Sequence, residues 1–379
     1  MKNKRRIYGI DIVRIFSCIS VYTQHYLGME LDNSKDAVGA FRESPWFKSI
    51  FGIFWGELVL ISFFVISGFF ITYNSDRGRD LRDRLRSCVY RCLSIIIPTA
   101  FVILFTAFVT MIMRLFDMSD MFSLKEVGRD MFKVLVGIPG DKHIHYAYPL
   151  WFQHFMLMGY IYGYVFVALF AKYDRLRPVA YVAVLVYSLF NSEYTYMVFM
   201  GMAAGEICSD RNAPRMPVFL RNNGICSVLL LAIMSVMAAV YSMDYDRPII
   251  YGPAALFISL ILILIFCIDK NLCAGPDETR REYPSRWHKI IDFLSENTYA
   301  CYLIHFFVFC SLMRIIYRLS FRIPIIWKDN NTGCIVMYVM MTLLVWTGAL
   351  FFTKFVLSPL KRIYDVIWKG IQGMLAQTD

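Results

Sequence analysis

Charged residues are scarce in this chain of 379 residues. Asp, Glu, Lys and Arg make up 18% of the sequence, whereas soluble globular proteins contain about 25%. Hydrophobic residues make up 58% and aromatic residues 17%, and the apolar runs are long enough to cross a bilayer. This composition argues against a soluble enzyme and predicts an all-helical, polytopic membrane protein. The sequence also has no internal repeat and no low-complexity segment.

The apolar runs predict about ten transmembrane helices. The fifth and sixth are short and could instead form one re-entrant hairpin. We expect one integral-membrane domain over residues 1–360 and a short amphipathic cytoplasmic tail at 361–379. No cleavable signal peptide is expected, because the first apolar run is long and carries Asp11 and Arg14. The predicted spans are 7–27, 49–73, 88–113, 149–171, 178–191, 194–208, 224–243, 249–268, 291–317 and 332–357.

The ten cysteines do not have the spacing of a metal site or a disulfide framework. They are scattered through predicted spans and inner loops, and none forms a CxxC pair. We expect them to be reduced packing residues. His143 and His145 alternate as metal ligands on a strand do, but an ordinary polar outer loop is the expectation there. No metal site is predicted.

Lys and Arg are unevenly distributed between alternate loops. With the N-terminus inside, the cytoplasmic segments hold 24 of these residues and the outer segments hold 12. The positive-inside rule therefore predicts that both termini are cytoplasmic. Basic loops against anionic lipid account for the formal net charge of +10, so no nucleic-acid partner is expected.

The first predicted helix carries a cation and an imidazole on one face. Arg14 and His25 are eleven residues apart, a separation that returns to within about 20° of the same face, about 16 Å along the axis. Because an arginine inside the bilayer must face protein, water or a ligand, this stripe indicates a functional site. The structural alternatives are an ion pair of Arg14 with Asp11, one turn earlier, and an interfacial aromatic belt around His25 with Tyr22 and Tyr26.

Further polar residues fall into layers by depth. Arginines on the cytoplasmic side would clamp the phosphates of a donor such as coenzyme A. A histidine toward the outer side would remove a proton from an acceptor hydroxyl. The cytoplasmic layer contains Arg14, Ser67, Gly68, Arg91 and the basic loop Arg77–Ser87; His25, Glu57 and His154 lie toward the outer side, and His305 lies near the middle.

Each of these residues also has a structural alternative. Ser67 and Gly68 are the small residues that membrane helices use for close packing. Arg91 could extend its side chain to lipid headgroups, and Glu57 could neutralise a buried base. His305 could bond to a neighbouring helix.

Five motifs occur in the order and spacing of the acyltransferase-3 family, and the chain resembles that family from Tyr8 to about Leu360. Members are bacterial integral-membrane enzymes that O-acylate carbohydrates and other surface molecules. The motifs are the Arg14-x10-His25 pair, FFVISGFFIT (Phe63–Thr72), the arginine-rich loop leading to Arg91 and Pro98, PLWFQHFMLMGYIYG (Pro149–Gly163) and NTYACYLIHFFVF (Asn297–Phe309).

The resemblance implies a ten-helix domain in the bacterial cytoplasmic membrane, a cytoplasmic acyl-CoA donor and functional roles for Arg14 and His25. The chain departs from the family pattern in two places. Ser94-Ile-Ile-Ile precedes Pro98, where the family often has an arginine, and the usual LWFL is LWFQ here, followed by His154.

Together, the residues and the resemblance predict transfer of an acyl group, most simply acetyl, from acyl-CoA to a hydroxyl of a surface glycan or related acceptor. We expect His25 as general base, with Arg14, Glu57 and His305 as further catalytic residues. Arg14, Ser67, Gly68 and Arg91 are expected to bind the donor. The alternatives are a transporter or flippase of a glycan or lipid-linked intermediate, and a sensor or scaffold without turnover. A transporter would favour inverted repeats, and the sequence has no such symmetry.

Overall fold

A computed structural model describes a large part of the chain, and all secondary structure in that part is helical. This confirms the all-helical class. The described residues are 7–28, 56–73, 81–115, 123–136, 152–173, 176–190, 194–209, 258, 260, 261, 263, 286–308 and 330–376. The predicted spans 224–243 and most of 249–268 lie outside them, as do His143 and His145.

The described ranges contain ten α-helices. A 3-10 turn at Phe170–Lys172 follows the fifth, and a π-helical segment at Thr353–Leu357 joins the last two. The helices are α1 (Tyr8–Gly28), α2 (Gly56–Tyr73), α3 (Leu81–Leu115), α4 (Leu124–Val136), α5 (Phe152–Leu169), α6 (Leu176–Phe190), α7 (Tyr194–Ser209), α8 (Arg286–Phe307), α9 (Asn330–Phe352) and α10 (Ser358–Ala376).

Three helical stretches within the described ranges are long and apolar enough to cross a membrane. They are Leu81–Ile112, Phe152–Leu169 and Ile335–Gly370. Leu60–Tyr73 and Thr195–Cys208 are shorter apolar helices. The two short predicted spans form separate helices, α6 and α7, of 15 and 16 residues. At about 1.5 Å per residue each is shorter than the roughly 30 Å hydrocarbon core.

Two elements differ from the sequence-based expectation. Helix α3 begins at Leu81 and so includes part of the basic stretch that was predicted to be a loop. Asp83 lies in its first turn, where a carboxylate is favoured by the positive end of the helix dipole. Helix α4 lies in a segment predicted to be an outer loop. Apart from its own helix backbone, no atom of the described residues lies within 4 Å of a Cβ added at its glycine, Gly128.

The chain forms two compact units, each built from separate stretches of sequence. The first comprises Met1–Glu30, Val38–Leu85 and Phe155–Glu296, and the second comprises Leu31–Ala37, Arg86–His154 and Asn297–Asp379. The predicted boundary at residue 360 falls within α10, and α10 belongs to the second unit with α9.

In the first unit, α2 and α7 approach so closely that their backbones touch. A Cβ added at Gly68 would overlap the Val198 carbonyl oxygen, and one added at Gly201 would overlap the Val65 carbonyl oxygen. The Thr72 hydroxyl donates a hydrogen bond to the Met202 carbonyl at 2.6 Å. Small residues permit such approach, and close packing is a principal source of helix association in membranes.

In the second unit, a tyrosine compensates for a proline in α3. Pro98 lies inside the helix and has no N–H, so the Ser94 carbonyl four residues earlier lacks its usual intrahelical donor. The Tyr299 hydroxyl of α8 donates to this carbonyl at 3.1 Å. Two of the motifs recognised in the sequence therefore meet through a backbone group.

Candidate active site

Arg14 is paired with an acidic residue on its own helix. One of its terminal nitrogens lies 3.6 Å from Asp11 Oδ1, and a third of the Arg14 side chain is exposed. Asp11 is buried, and the Ser295 hydroxyl of α8 donates a hydrogen bond of 2.5 Å to the same oxygen. The predicted structural alternative, an ion pair with Asp11, is therefore present. This ion pair neutralises a buried carboxylate and leaves a third of the Arg14 side chain exposed.

The face of α1 between Arg14 and His25 is covered by protein. Cys18 and Val21, which lie on this face, are 1% and 2% exposed. Tyr22 and Tyr26 are also buried, so they pack inside the protein and do not form an exposed belt around His25. The His25 side chain itself is partly exposed. The stripe thus combines a cation and an imidazole at its two ends with a buried middle.

The candidate residues of α2 lie in the first compact unit, as Arg14 and His25 do, but each has different contacts. The Ser62 hydroxyl lies 2.7 Å from that of Ser17 on α1, which links the two helices. Gly68 lies against the backbone of α7, in agreement with the structural alternative that it is a packing residue. A donor molecule on that side would have to displace α7. Ser67 is partly buried. Glu57 lies in the first turn of α2, and its side chain lies outside the described part of the structure.

His305 and Arg91 belong to the second unit. His305 is fully buried, and its Nδ1 lies 2.5 Å from the Tyr302 carbonyl oxygen. Because a carbonyl only accepts, Nδ1 carries a proton and donates it to this carbonyl. The imidazole also packs on the Tyr302 ring at 5.3 Å. Arg91 is partly buried, and its carbonyl accepts a hydrogen bond of 2.7 Å from the Ser94 hydroxyl.

The comparison with known families decides the class of protein. A family model described as an acyltransferase domain, acyltransferase 3, matches residues 7–354. The chain belongs to the acyltransferase-3 family. The resemblance predicted from the five motifs is thereby confirmed, and all five lie within the matched residues. No curated protein and no solved structure matches the chain.

Membership of the acyltransferase-3 family, together with the apolar helices, makes this chain a multi-pass membrane acyltransferase. The described residues hold no cluster of three or more His, Cys, Asp or Glu side chains that could hold a metal ion. The cysteines whose state the structure describes are in no disulfide bond; they are Cys18, Cys88, Cys92, Cys208 and Cys301.

One arginine of the acyltransferase has a role that the sequence reasoning missed. Arg84 was predicted to lie in a phosphate-clamping loop, but it is a buried residue of α3. Its guanidinium donates to the Val167 carbonyl at 2.7 Å, so it satisfies a carbonyl in the last turn of α5. A signal was present, because Arg84 lies eleven residues before the buried Ile95 and thus on the same face of a continuous helix.

A second arginine satisfies a carbonyl in the 3-10 turn that follows α5. Arg177 donates to the Phe170 carbonyl from two of its nitrogens, at 3.2 and 2.9 Å. It also forms an ion pair of 2.8 Å with Glu206 of α7. Sequence reasoning missed this pair as well, since the partners are distant in the chain. Close packing was foreseen for Gly68 but not for its partner on α7, although Gly201-x-x-x-Gly205 is a known signal for such contacts.

Proposed function

We propose that this acyltransferase moves an acyl group, most simply acetyl, from cytoplasmic acyl-CoA to a hydroxyl of a surface glycan or related acceptor. The observation that carries the proposal is the stripe on α1. It has a cation at one end, an imidazole at the other and a buried middle formed by Cys18 and Val21. Such a stripe inside a membrane protein of an acyltransferase family suits a base and a cation that act on a bound substrate.

His25 is the proposed general base. It removes the proton of the acceptor hydroxyl as the oxygen attacks the thioester carbonyl of the donor. A carbon–oxygen bond forms, the carbon–sulfur bond breaks, and the coenzyme A thiolate leaves and takes up the proton. Glu57 and His305 are proposed to assist, with His305 Nε2 as the nitrogen that exchanges a proton, since Nδ1 is bonded to the Tyr302 carbonyl.

Arg14 is the proposed cation for the donor, at a phosphate or at the thioester oxygen. A guanidinium presents a planar set of donors that suits either group. Its pairing with Asp11 at 3.6 Å supports this role, because a buried carboxylate that faces the cation keeps it charged and oriented. Ser67 and Arg91 are proposed as further donor contacts. Gly68 is assigned to packing because α7 occupies its open side.

The proposed orientation places both termini in the cytoplasm of a bacterial cell, with the chain in the cytoplasmic membrane. The excess of Lys and Arg in alternate loops, 24 against 12, supports it. Acyl-CoA is kept in the cytoplasm, so the donor would enter from the side of Arg14 and the acceptor from the side of His25.

The test uses the purified full chain in lipid vesicles with radiolabelled acetyl-CoA and a glycan acceptor. The wild type should transfer label to the glycan. His25→Ala should lower turnover by roughly 10²–10⁴-fold, the usual contribution of a positioned base, without loss of expression. His288→Ala is the matched control, since the His288 ring packs on Tyr8 at 4.3 Å and has no place in the mechanism.

Two outcomes would reject parts of this proposal. Near-native turnover of His25→Ala removes His25 from the mechanism. Label or glycan that crosses the membrane without any new ester would favour the transporter alternative.

A further inference from the structure

Aromatic and cationic side chains of the second unit cluster between α3 and α10. The rings of Tyr90 and Tyr364 lie 4.5 Å apart, and the Tyr364 hydroxyl donates to the Arg86 carbonyl at 3.4 Å. The Arg86 guanidinium lies 5.4 Å from the centre of the Trp368 ring. Tyr364 and Trp368 are themselves nearly parallel, with 6.2 Å between ring centres and 13° between planes.

One hydrogen-bond donor of this aromatic–cationic cluster has no acceptor among the described residues. Trp368 Nε1 is buried and meets no hydrogen-bond acceptor among the described residues. A buried N–H without a partner costs free energy, so such a group calls for a ligand or water. The cluster therefore does more than fill space: it offers an N–H donor beside a guanidinium and two aromatic rings.

The charged side chains around the cluster are mostly cationic. Lys361 lies three residues before Tyr364 and seven before Trp368, spacings that place all three on one side of α10. Lys361 is exposed, so its ammonium group can reach a ligand that rests on the two rings. Asp365 is the one acidic residue of α10, and its carboxylate is close enough to act electrostatically on Tyr90 and Tyr364.

We propose that the aromatic–cationic cluster binds the nucleotide end of the acyl donor. The adenine base stacks on Trp368 and Tyr364, as bases do on aromatic side chains. Arg86 and Lys361 hold the phosphates, and Trp368 Nε1–H donates to the same ligand. This inference rests on the proposed function, because it is acyl-CoA that carries an adenine nucleotide. It adds Arg86 to the proposed donor contacts as a phosphate ligand; Arg91 lies about 140° away around α3 and acts electrostatically on Tyr90 of the cluster.

The experiment compares two donors that differ in the nucleotide alone, acetyl-CoA and acetyl-pantetheine. Trp368→Leu should raise the KM for acetyl-CoA about tenfold or more, the usual effect of losing one base–aromatic stack. The KM for acetyl-pantetheine and both kcat values should not change. Trp287→Leu is the matched control, because Trp287 is 73% exposed and lies on α8.

A second pair of variants tests the cation and guards against misfolding. Arg86→Gln should raise the KM for acetyl-CoA and weaken competitive inhibition by adenosine 3′,5′-bisphosphate. Arg362→Gln, an exposed position on the opposite side of α10 from Tyr364, should leave both unchanged. Trp368→Phe keeps a ring but loses the N–H donor, so it should fall between the wild type and Trp368→Leu.

Three results would overturn the inference. Equal changes for both donors would make the cluster a structural clamp between α3 and α10. No change for either donor would remove the cluster from donor binding. Variant effects seen in anionic vesicles but not in phosphatidylcholine vesicles would identify a lipid headgroup as the phosphate ligand. A wild type that transfers nothing from either donor would instead reject the proposed function itself.

Discussion

At the scale of single residues, the environment of Arg14 separates a catalytic role from a purely structural one. Asp11 is buried and binds both Arg14 and Ser295. Arg14→Lys keeps a positive charge beside this carboxylate but loses the planar guanidinium. We predict that Arg14→Lys lowers acyl transfer by about tenfold or more, as expected when hydrogen bonds to a charged group are lost, while the free energy of unfolding changes little.

The control for this prediction addresses the carboxylate. Ser295→Ala removes one hydrogen bond to Asp11 and leaves Arg14 intact, so it should reduce stability and preserve turnover per folded molecule. If Arg14→Lys retains wild-type turnover while Ser295→Ala and Asp11→Asn unfold the protein, Arg14 acts in the fold alone. Thermal unfolding in detergent and turnover with labelled acetyl-CoA measure the two quantities.

Gly68 provides a second prediction at this scale. Its open side is filled by the Val198 carbonyl, and a backbone atom cannot move aside as a flexible side chain can. We predict that Gly68→Ala lowers the free energy of unfolding by roughly 1–3 kcal/mol or more, the usual cost of overpacking. Gly128→Ala is the control: within the described part of the chain, no atom outside its own helix backbone lies within 4 Å of its added Cβ, so the better helix propensity of alanine should stabilise α4 slightly. A stable Gly68→Ala with a raised KM for the donor would restore Gly68 to the donor site.

At the scale of elements, arginines in the first turns of α3 contact two different helices. Its early start at Leu81 brings Arg84 to a carbonyl of α5, while Arg86 reaches the ring of Trp368 in α10. Successive residues point about 100° apart, so arginines two positions apart serve different neighbours. An arginine-rich segment therefore cannot be assigned to a ligand as a whole; each side chain has to be placed separately.

The contact between α3 and α8 yields a prediction for Tyr299. Its hydroxyl donates to the carbonyl that Pro98 leaves without a donor. We predict that Tyr299→Phe lowers the free energy of unfolding by about 1 kcal/mol, the net value of a typical hydrogen bond. The loss should shrink in the Pro98→Ala background, because the substituted alanine supplies a backbone N–H to the same carbonyl.

Unfolding of the four proteins of this double-mutant cycle in mixed micelles gives the coupling energy. The two substitutions should be clearly non-additive. Equal losses from Tyr299→Phe in both backgrounds would show that the tyrosine stabilises the protein independently of Pro98.

At the scale of the whole molecule, the proposed chemistry requires one orientation in the membrane. We predict that a cysteine introduced into the segment Leu31–Lys48 reacts with an impermeant thiol reagent in intact cells, because this segment follows the His25 end of α1. A cysteine placed between Arg77 and Arg86 should react after the membrane is opened and not before. The parent chain without an added cysteine measures the background from the native thiols. The reverse pattern would leave a cytoplasmic donor on the wrong side of Arg14 and would reject the proposed route.

Much of the fold was predictable because hydropathy and helical period are local properties. The first predicted span, 7–27, differs from α1 by one residue at each end, and 194–208 differs from α7 by one residue at its end. The shared face of Arg14 and His25 follows from their spacing alone. The predicted ends of the spans were least accurate where charged residues interrupt the apolar pattern, as at the start of α3. Arginines can lie in a helix as readily as in a loop.

The sequence by itself determined the helical membrane class, the order of the motifs and hence the family, since each depends on residues close together in the chain. The tertiary structure alone decided which partner each polar residue meets. Ser295 binds Asp11 from 284 positions away, Tyr299 reaches Ser94 across 205, and Gly68 faces Val198 of another helix. No local pattern encodes such pairings, because they depend on which helices pack together and at what height. Arg84 therefore satisfies a helix carbonyl, although its sequence context favoured a phosphate.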